Sequence, residues 1–347
     1  RKMQPQTKSK LKPCLVIGSG FHRWVVGDIE TPLSSWHKLI EAVATEMHVS
    51  APSTNYPPTF RWEKLLENAG QDGFMVDGTG GREVRPNQYQ PNLVEEYAKK
   101  AVVKVLEQLT YHYPRMSGRA QLPFDQGLGA VISLNFDHCW MNQRNRIMGL
   151  AEPDLKNDTL TLNEYERLTG YVETEQSINH KLVCTWFPNG HVQKANAIRM
   201  GLSDFGGQPH AIKQAFGWIK AGEPNPDEAK KQSAWDTYFE HLAAQFEKPV
   251  DQQEPQLRNW VAHFLYRPLY FAGVGLSDHE TGLWWLLAQR ARNLARIAKK
   301  DRPETVILIS ATDARRSFWS MRPFGVEALI CDDWDQGWEQ LRERWLA

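Results

Sequence analysis

The chain has 347 residues, with 41 Lys plus Arg and 41 Asp plus Glu, so its formal charge is zero. This balance disfavours a protein whose main partner is nucleic acid or an anionic membrane. The length predicts about two domains, or one large α/β domain with insertions. The hydrophobic share of 41% is typical of a globular chain.

Nothing in the sequence approaches the roughly 18 consecutive apolar residues of a membrane span. Residues 1–12 form a basic, polar tail that lacks the apolar stretch of a secretory signal. The cysteines stand alone, with no C-x-x-C pair: Cys14, Cys139, Cys184 and Cys331. This pattern predicts buried thiols in a reducing compartment rather than a zinc site or disulfides. We therefore expect a cytoplasmic protein that needs no metal.

Six short apolar runs without strict alternation predict strands that are covered on both faces, as in a parallel sheet. They are Cys14–Gly18, Ala130–Phe136, Leu182–Phe187, Leu269–Gly275, Thr305–Ser310 and Val326–Cys331. Amphipathic helical patterns lie between them, at Trp36–Met47, Val94–Leu109, Trp235–Phe246, Leu283–Ile297 and Trp334–Trp345. Strands alternating with helices predict a doubly wound, mainly parallel Rossmann-like α/β sheet.

Two regions interrupt the alternation. Residues 50–92 are rich in Pro, Gly and Asn around a short helical stretch, which predicts a loop-rich insertion. Residues 193–256 predict a helical subdomain inserted in the same way. The remainder of residues 13–347 is expected to form one α/β domain.

The first candidate site follows the first predicted strand, where Gly18-Ser19-Gly20 lets the backbone approach a phosphate. The positive end of the next helix would then hold the anion. A glycine turn after a strand also serves packing, and the sequence leaves both interpretations open. No G-x-x-x-x-G-K-S/T motif is present, which disfavours a P-loop ATPase.

The second candidate is Asn135, within Leu134–Asp137 at the end of the next predicted strand. Its amide both donates and accepts hydrogen bonds, which suits a ribose hydroxyl or an attacking water. The alternative is a structural role for this segment, with Asp137 as the N-cap of a helix.

Two further segments also follow predicted strands. In Asn189-Gly190-His191 the histidine is a candidate acid/base group, and the alternative is a histidine of purely structural importance. In Gly273–Asp278 the glycines again permit close backbone approach, and Ser277 or Asp278 would cap the following helix.

Taken in this order, the four segments resemble the sirtuin-like family, and more narrowly the bacterial sirtuin-like domains of anti-phage defence systems. Family members open with a strand and G-A-G, then a Pro and a Trp before a helix, which Gly18–Gly20, Pro32 and Trp36 match. The family motif T-N-Y/F-D is matched by Leu134–Asp137, and the later G-Y-S-L-x-D by Gly273–Asp278, with Gly at the usual Ser. The resemblance runs from about residue 13 to residue 347, interrupted by the two insertions.

The resemblance implies that NAD binds at the sheet edge and that the bond between nicotinamide and ribose is cleaved through an oxocarbenium-like sugar. Asn135 would orient the attacking water. The first glycine turn would lie against the phosphates, and the glycines of the fourth segment near the adenosine ribose. The residues of the matched segments expected to bind the cofactor are Gly18, Ser19, Gly20, Asp137, Gly190, Gly273, Gly275 and Ser277.

The chain departs from the family at two points. Where the family has His before Gly, this chain has Asn189 before Gly190, and an amide cannot act as a base near pH 7. His191 lies two residues on, so it would face the same side in an extended segment but need not if the chain turns at Gly190. The family has small residues after the first glycines, whereas residues 21–24 here are bulky and either narrow the pocket or place Arg23 against a phosphate.

Two functions of different classes remain. In the first, the protein is a NAD hydrolase that depletes NAD during phage infection, with Asn135 positioning water, His191 or His22 as the base, and Asn189 at the family's histidine position. In the second, it is a degenerate module that binds a nucleotide, or nothing, and serves as a scaffold in a multi-protein defence complex. Asn189 favours the second function, whereas Asn135 and Asp137 favour the first.

Two related activities are disfavoured. A protein deacylase of this family would carry a four-cysteine zinc ribbon, and the chain has no cysteine pair. An ordinary dehydrogenase would carry a complete G-x-G-x-x-G with an acidic residue about 20 positions later, which is also missing. Because one domain nearly fills the chain, we expect a homo-oligomer or a complex with a separate sensor protein.

Overall fold

A computed structural model describes most of the chain. The described residues are 11–26, 30–75, 83–84, 90–110, 127–137, 139–140, 171–175, 182–225, 227–275, 280–311 and 321–347. Most of the expected N-terminal tail, residues 1–10, lies outside them, and so does Ser277.

The strands are β1 (Cys14–Ile17), β2 (Phe74–Met75), β3 (Glu83–Val84), β4 (Ala130–Ser133), β5 (Tyr171–Glu175), β6 (Leu182–Trp186), β7 (Leu269–Ala272), β8 (Thr305–Ser310) and β9 (Glu327–Cys331). Seven of them form one sheet in the order β5-β6-β4-β1-β7-β8-β9, and β2 pairs with β3 separately. All neighbours from β6 to β9 are parallel. Only the edge strand β5 is antiparallel within the described sheet.

The six predicted strands are all present, and the doubly wound, mainly parallel α/β fold is confirmed. If the six parallel strands are numbered by their place in the chain, their spatial order is 3-2-1-4-5-6. Dinucleotide-binding Rossmann folds have this order, in which the connections reverse direction between the first and the fourth strand. Here that reversal lies between β1 and β7.

The described helices are α1 (Ser19–Val26), α2 (Trp36–Glu46), α3 (Pro58–Asp72), α4 (Pro91–Thr110), α5 (Leu202–Lys220), α6 (Gln232–Phe246), α7 (Trp260–Tyr266), α8 (Thr281–Leu294) and α9 (Trp334–Leu346). Local sequence explains their starts in several cases. The side chain of Ser35 caps α2, that of Asn259 caps α7 and that of Asp333 caps α9, each by accepting from a first-turn N–H.

Both faces of the sheet are buried, which accounts for the continuous apolar runs. Leu15 and Ile17 of β1 point into one core, with α2, α4 and α9, while Cys14 and Val16 point into the other, with α5 to α8. All four cysteines are buried free thiols, as their isolated positions predict.

Helix α1 follows β1 directly, and two of its bulky residues pack against α9. Trp24 packs on Trp338 of α9 at a ring distance of 5.2 Å and donates from Nε1 to Asp335 across 2.6 Å. Phe21 also packs on Trp338, at 5.9 Å. These aromatic side chains therefore belong to the core beneath α9.

The first predicted insertion, residues 50–92, contains more helix than its loop-rich composition indicates. Within residues 50–92 the short helical stretch is the fifteen-residue helix α3, and residues 193–256 contain α5 and α6. The division of the chain into one domain and two insertions stays a prediction. None of the helices that the structure describes combines the length and apolar character needed to cross a membrane.

Candidate functional site

A cleft of about 350 Å³ opens at the carboxyl ends of β1, β4, β6 and β7. All four candidate segments contribute to its lining, and this convergence is what the sequence predicts. The lining residues are Gly18, Ser19, Trp36, His37, Pro58, Leu134, Asn135, Asn189, Phe205, Gly273, Val274, Gly275 and Glu280.

The glycines of the first and fourth segments pack against each other. The amide of Gly20 donates to the carbonyl of Gly273 across 2.9 Å. A Cβ on Gly18 would lie 2.5 Å from the Gly273 oxygen, and one on Gly20 would lie 2.7 Å from the Gly273 Cα. Gly273 itself has φ +65°, in the left-handed region. These glycines therefore bring the turns after β1 and β7 into direct backbone contact at the floor of the cleft.

Helix N-termini surround the cleft. Ser19 and Trp36 are the first residues of α1 and α2, Pro58 is the first residue of α3, and Glu280 is the N-cap of α8. Phe205 lies in the first turn of α5. The helix dipoles are positive at this end, although at least one first-turn amide in each of α1, α2 and α5 already donates to another group of the protein. The cleft is thus built to favour an anionic ligand.

Asn135 is positioned by the end of β4, where the amide of Leu134 still donates to Ile17 across 2.9 Å. Its side chain is 6% exposed and lines the cleft. Its Nδ2 is buried and has no hydrogen-bond partner among the described residues. A buried donor without a partner is costly. A ligand oxygen that accepted a hydrogen bond from this amide would therefore be favoured.

Asn189 also lines the cleft, but its polar atoms are already used. Nδ2 donates to the carbonyl of Leu134 across 2.9 Å, and Oδ1 accepts from Gln208 across 3.3 Å. Asn189 therefore ties the end of β4 to α5.

The chain turns at Gly190, which settles the position of His191. Gly190 has φ +91°, and a Cβ there would lie 2.0 Å from the carbonyl oxygen of Ala197. The turn sends His191 away from the cleft, where it is fully buried and packs on Phe187 at a ring distance of 4.2 Å. The cleft lining includes neither Gly190 nor His191. Their predicted roles stay predictions, and the structure does not bring them to the ligand side.

Asp137 and His22 form a buried pair outside the cleft lining. Asp137 accepts from His22 Nε2 across 2.8 Å and from the amide of Cys139 across 2.7 Å, which is the capping role considered for this residue. Burial by itself lowers the pKa of His22, but the Asp137 carboxylate and the Cys139 sulfur outweigh burial and raise the pKa to about 10. The pair is well suited to fixing α1 beside β4.

The remaining predicted residues divide between the lining and its surroundings. Gly275 lines the cleft, and a Cβ there would meet no atom within 4 Å. Arg23 is half-buried on α1 and is not in the lining. Ser277 lies outside the described residues.

Sequence reasoning missed several residues of the cleft. Trp36 and Phe205 pack at 5.5 Å and form an apolar wall with Pro58. His37 and Glu280 are the titratable residues of the described lining. His37 lies within a predicted amphipathic helix, where nothing distinguishes it from a surface residue. Glu280 follows the segment Gly273–Asp278, whose glycines indicated a role for the backbone and not for a side chain.

Comparison with known proteins adds no assignment, because the chain matches no protein-family model and no curated protein.

Proposed function

We propose that the chain binds NAD, or a related dinucleotide such as ADP-ribose, in this cleft. The observation that carries the proposal is the convergence of four strand ends on one crevice at the reversal point between β1 and β7. Ligands of open α/β sheets bind at such points. A volume of about 350 Å³ lies within the usual range of ligand pockets.

The chemistry of the lining supports the same class of ligand. Five helix N-termini favour the phosphates, and Asn135 in the lining has a buried amide donor that lacks a partner among the described residues. The carboxylate of Glu280 is an acceptor for ribose hydroxyl groups, and the wall of Trp36, Pro58 and Phe205 suits a flat aromatic base.

The proposed reaction is hydrolysis of the bond between nicotinamide and ribose. Asn135 orients a water whose oxygen bonds to the anomeric carbon, while the nitrogen–carbon bond breaks and its electron pair stays on neutral nicotinamide. The water releases one proton, and Glu280 is the carboxylate that the described lining offers as its acceptor. The resemblance to defence proteins extends this proposal to NAD depletion during phage infection, with self-association or a separate sensor as the trigger.

The second candidate is a module that binds the dinucleotide without cleaving it. Two observations favour this function: both polar atoms of Asn189 are occupied, and His191 faces Phe187 instead of the cleft. The segment Asn189–His191, where the family places its histidine, then brings no imidazole to the cleft that could act as the base.

Two measurements on the purified protein distinguish the hydrolase from the binding module. The first is nicotinamide release from NAD, and the second is calorimetry with NAD and ADP-ribose. For the hydrolase we expect release that falls at least 100-fold in Asn135→Ala and strongly in Glu280→Gln, with the exposed Asn55→Ala as the matched control. Binding without release, alone and with its genomic neighbours, would support the second function. Absence of both binding and release would overturn the proposal.

A further inference from the structure

A fully buried arginine stands behind one wall of the cleft. Arg61 of α3 donates from Nε and NH2 to the carbonyl of Pro52, across 3.2 and 2.8 Å. Its NH1 donates to the carbonyl of His37 across 3.0 Å and contacts the Nδ1 of the same residue at 2.9 Å. Arg61 thus joins α3 and Pro52 to the start of α2.

The contact with Nδ1 determines the tautomer of His37. A guanidinium has donors and no acceptor, so Nδ1 must be the accepting nitrogen. In the neutral ring the proton then lies on Nε2, and the imidazole is a donor on its other side. Burial and then the charge of Arg61 lower the pKa of His37, while Glu30 and Glu41 oppose them less strongly. The ring is therefore neutral near pH 7 and cannot serve as a base through Nδ1.

The cleft lies next to this ring. His37 lines it together with Asn135, whose Nδ2 lacks a partner among the described residues. The two donors come from different elements, one from the first turn of α2 and the other from the end of β4. A ligand that satisfies them must present oxygen acceptors, and the positive ends of the surrounding helices favour oxygens that carry charge.

We propose that His37 is a ligand-contacting residue, held by Arg61 as the Nε2-protonated neutral tautomer, and that it donates from Nε2 to a phosphate oxygen of the bound dinucleotide. This inference rests on the proposed function. It assigns a specific residue outside the four candidate segments, and it makes Arg61 of α3 a positioning residue of the site.

Substitutions at His37 test the contact through ADP-ribose binding. Gln places its amide near the position of Nε2 and keeps a donor there, whereas Phe keeps the ring and removes it. We expect ADP-ribose affinity to fall about 10- to 100-fold in His37→Phe, the range of a hydrogen bond to a charged group. Affinity in His37→Gln should stay within about threefold of wild type, as should that of the exposed control His210→Phe. If the chain hydrolyses NAD, His37→Phe should raise KM more than it lowers kcat.

The outcomes are distinguishable. Equal affinity in wild type and a folded His37→Phe would overturn the assignment and leave the proposed function standing. Failure of wild type to bind any of these nucleotides would overturn both. The tautomer has its own readout, since ¹⁵N spectra should place the His37 proton on Nε2, with the signal assigned by its loss in His37→Gln. A proton on Nδ1 would contradict the assigned tautomer. If the affinity for ADP-ribose rose steeply from pH 8 to pH 6 in wild type but not in His37→Gln, the donor would be a protonated ring and not the neutral one proposed.

Discussion

The side-chain amide of Asn189 joins the carbonyl of Leu134 across 2.9 Å, and this bond links the ends of β4 and β6 next to the cleft. Asn189→Ala removes this hydrogen bond and the one to Gln208, and leaves a buried carbonyl without its donor. We expect the free energy of unfolding to fall by about 2 kcal/mol, measured by urea denaturation. Asn55→Ala, at an exposed position, should change it by less than about 0.5 kcal/mol. Equal stability of the two variants would show that the buried bond contributes nothing.

The contact between the first and fourth glycine segments should be intolerant of even one methyl group. In Gly273→Ala the new Cβ would lie 2.1 Å from the amide nitrogen of Phe21, at a backbone φ of +65°. We expect a loss of at least about 3 kcal/mol in the free energy of unfolding. Gly275→Ala, two residues on, meets no atom within 4 Å and is the matched control. Similar melting temperatures for both variants would contradict the close backbone packing.

The pair of His22 and Asp137 should make stability depend on pH. The pKa of His22 is raised from 6.5 to about 10 on folding, so its stabilising contribution is fully present below about pH 6.5 and is lost as the pH rises through 10. Between pH 7 and pH 10 we expect the free energy of unfolding to decline by up to about 1.4 kcal/mol per pH unit.

Asp137→Asn removes the charge that raises the pKa of His22, so this variant should be less stable at pH 7 but lose less stability towards pH 10. Urea denaturation of both proteins across this range measures the difference. Parallel curves would exclude the ion pair as the source of the pH dependence.

The hydrogen bonds of Arg61 should stabilise the folded protein as well as position His37. Lys cannot span the carbonyl of Pro52 and the ring of His37 at once, because its single ammonium lacks the planar fork of donors. We expect Arg61→Lys to lower the free energy of unfolding by about 3 kcal/mol. The exposed Arg292→Lys on α8 is the control and should be neutral. A wild-type melting temperature in Arg61→Lys would refute this role of Arg61.

The sheet and the location of the cleft were predictable because they depend on local patterns. Buried parallel strands read as apolar runs, and parallel strand ends share one edge. The direction of His191 was not predictable, because it depends on the close approach of Gly190 to Ala197 within a turn. The pairing of His22 with Asp137 spans 115 positions, and that of His37 with Arg61 spans 24, so no spacing rule indicates either. Helix α1 was expected only as the helix after the first glycine turn, without bounds. The edge strand β5 was missed because Tyr171–Glu175 contains two glutamates and is not a continuous apolar run.

The packing of Trp24 and Phe21 against Trp338 gives the last helix a mechanical connection to the cleft. Helix α1 carries Ser19 of the cleft lining at its first position and these aromatic rings further along, so one short helix contacts both the cleft and α9. A partner that bound residues 334–346 and shifted α9 would therefore be expected to shift Ser19 as well, without entering the cleft.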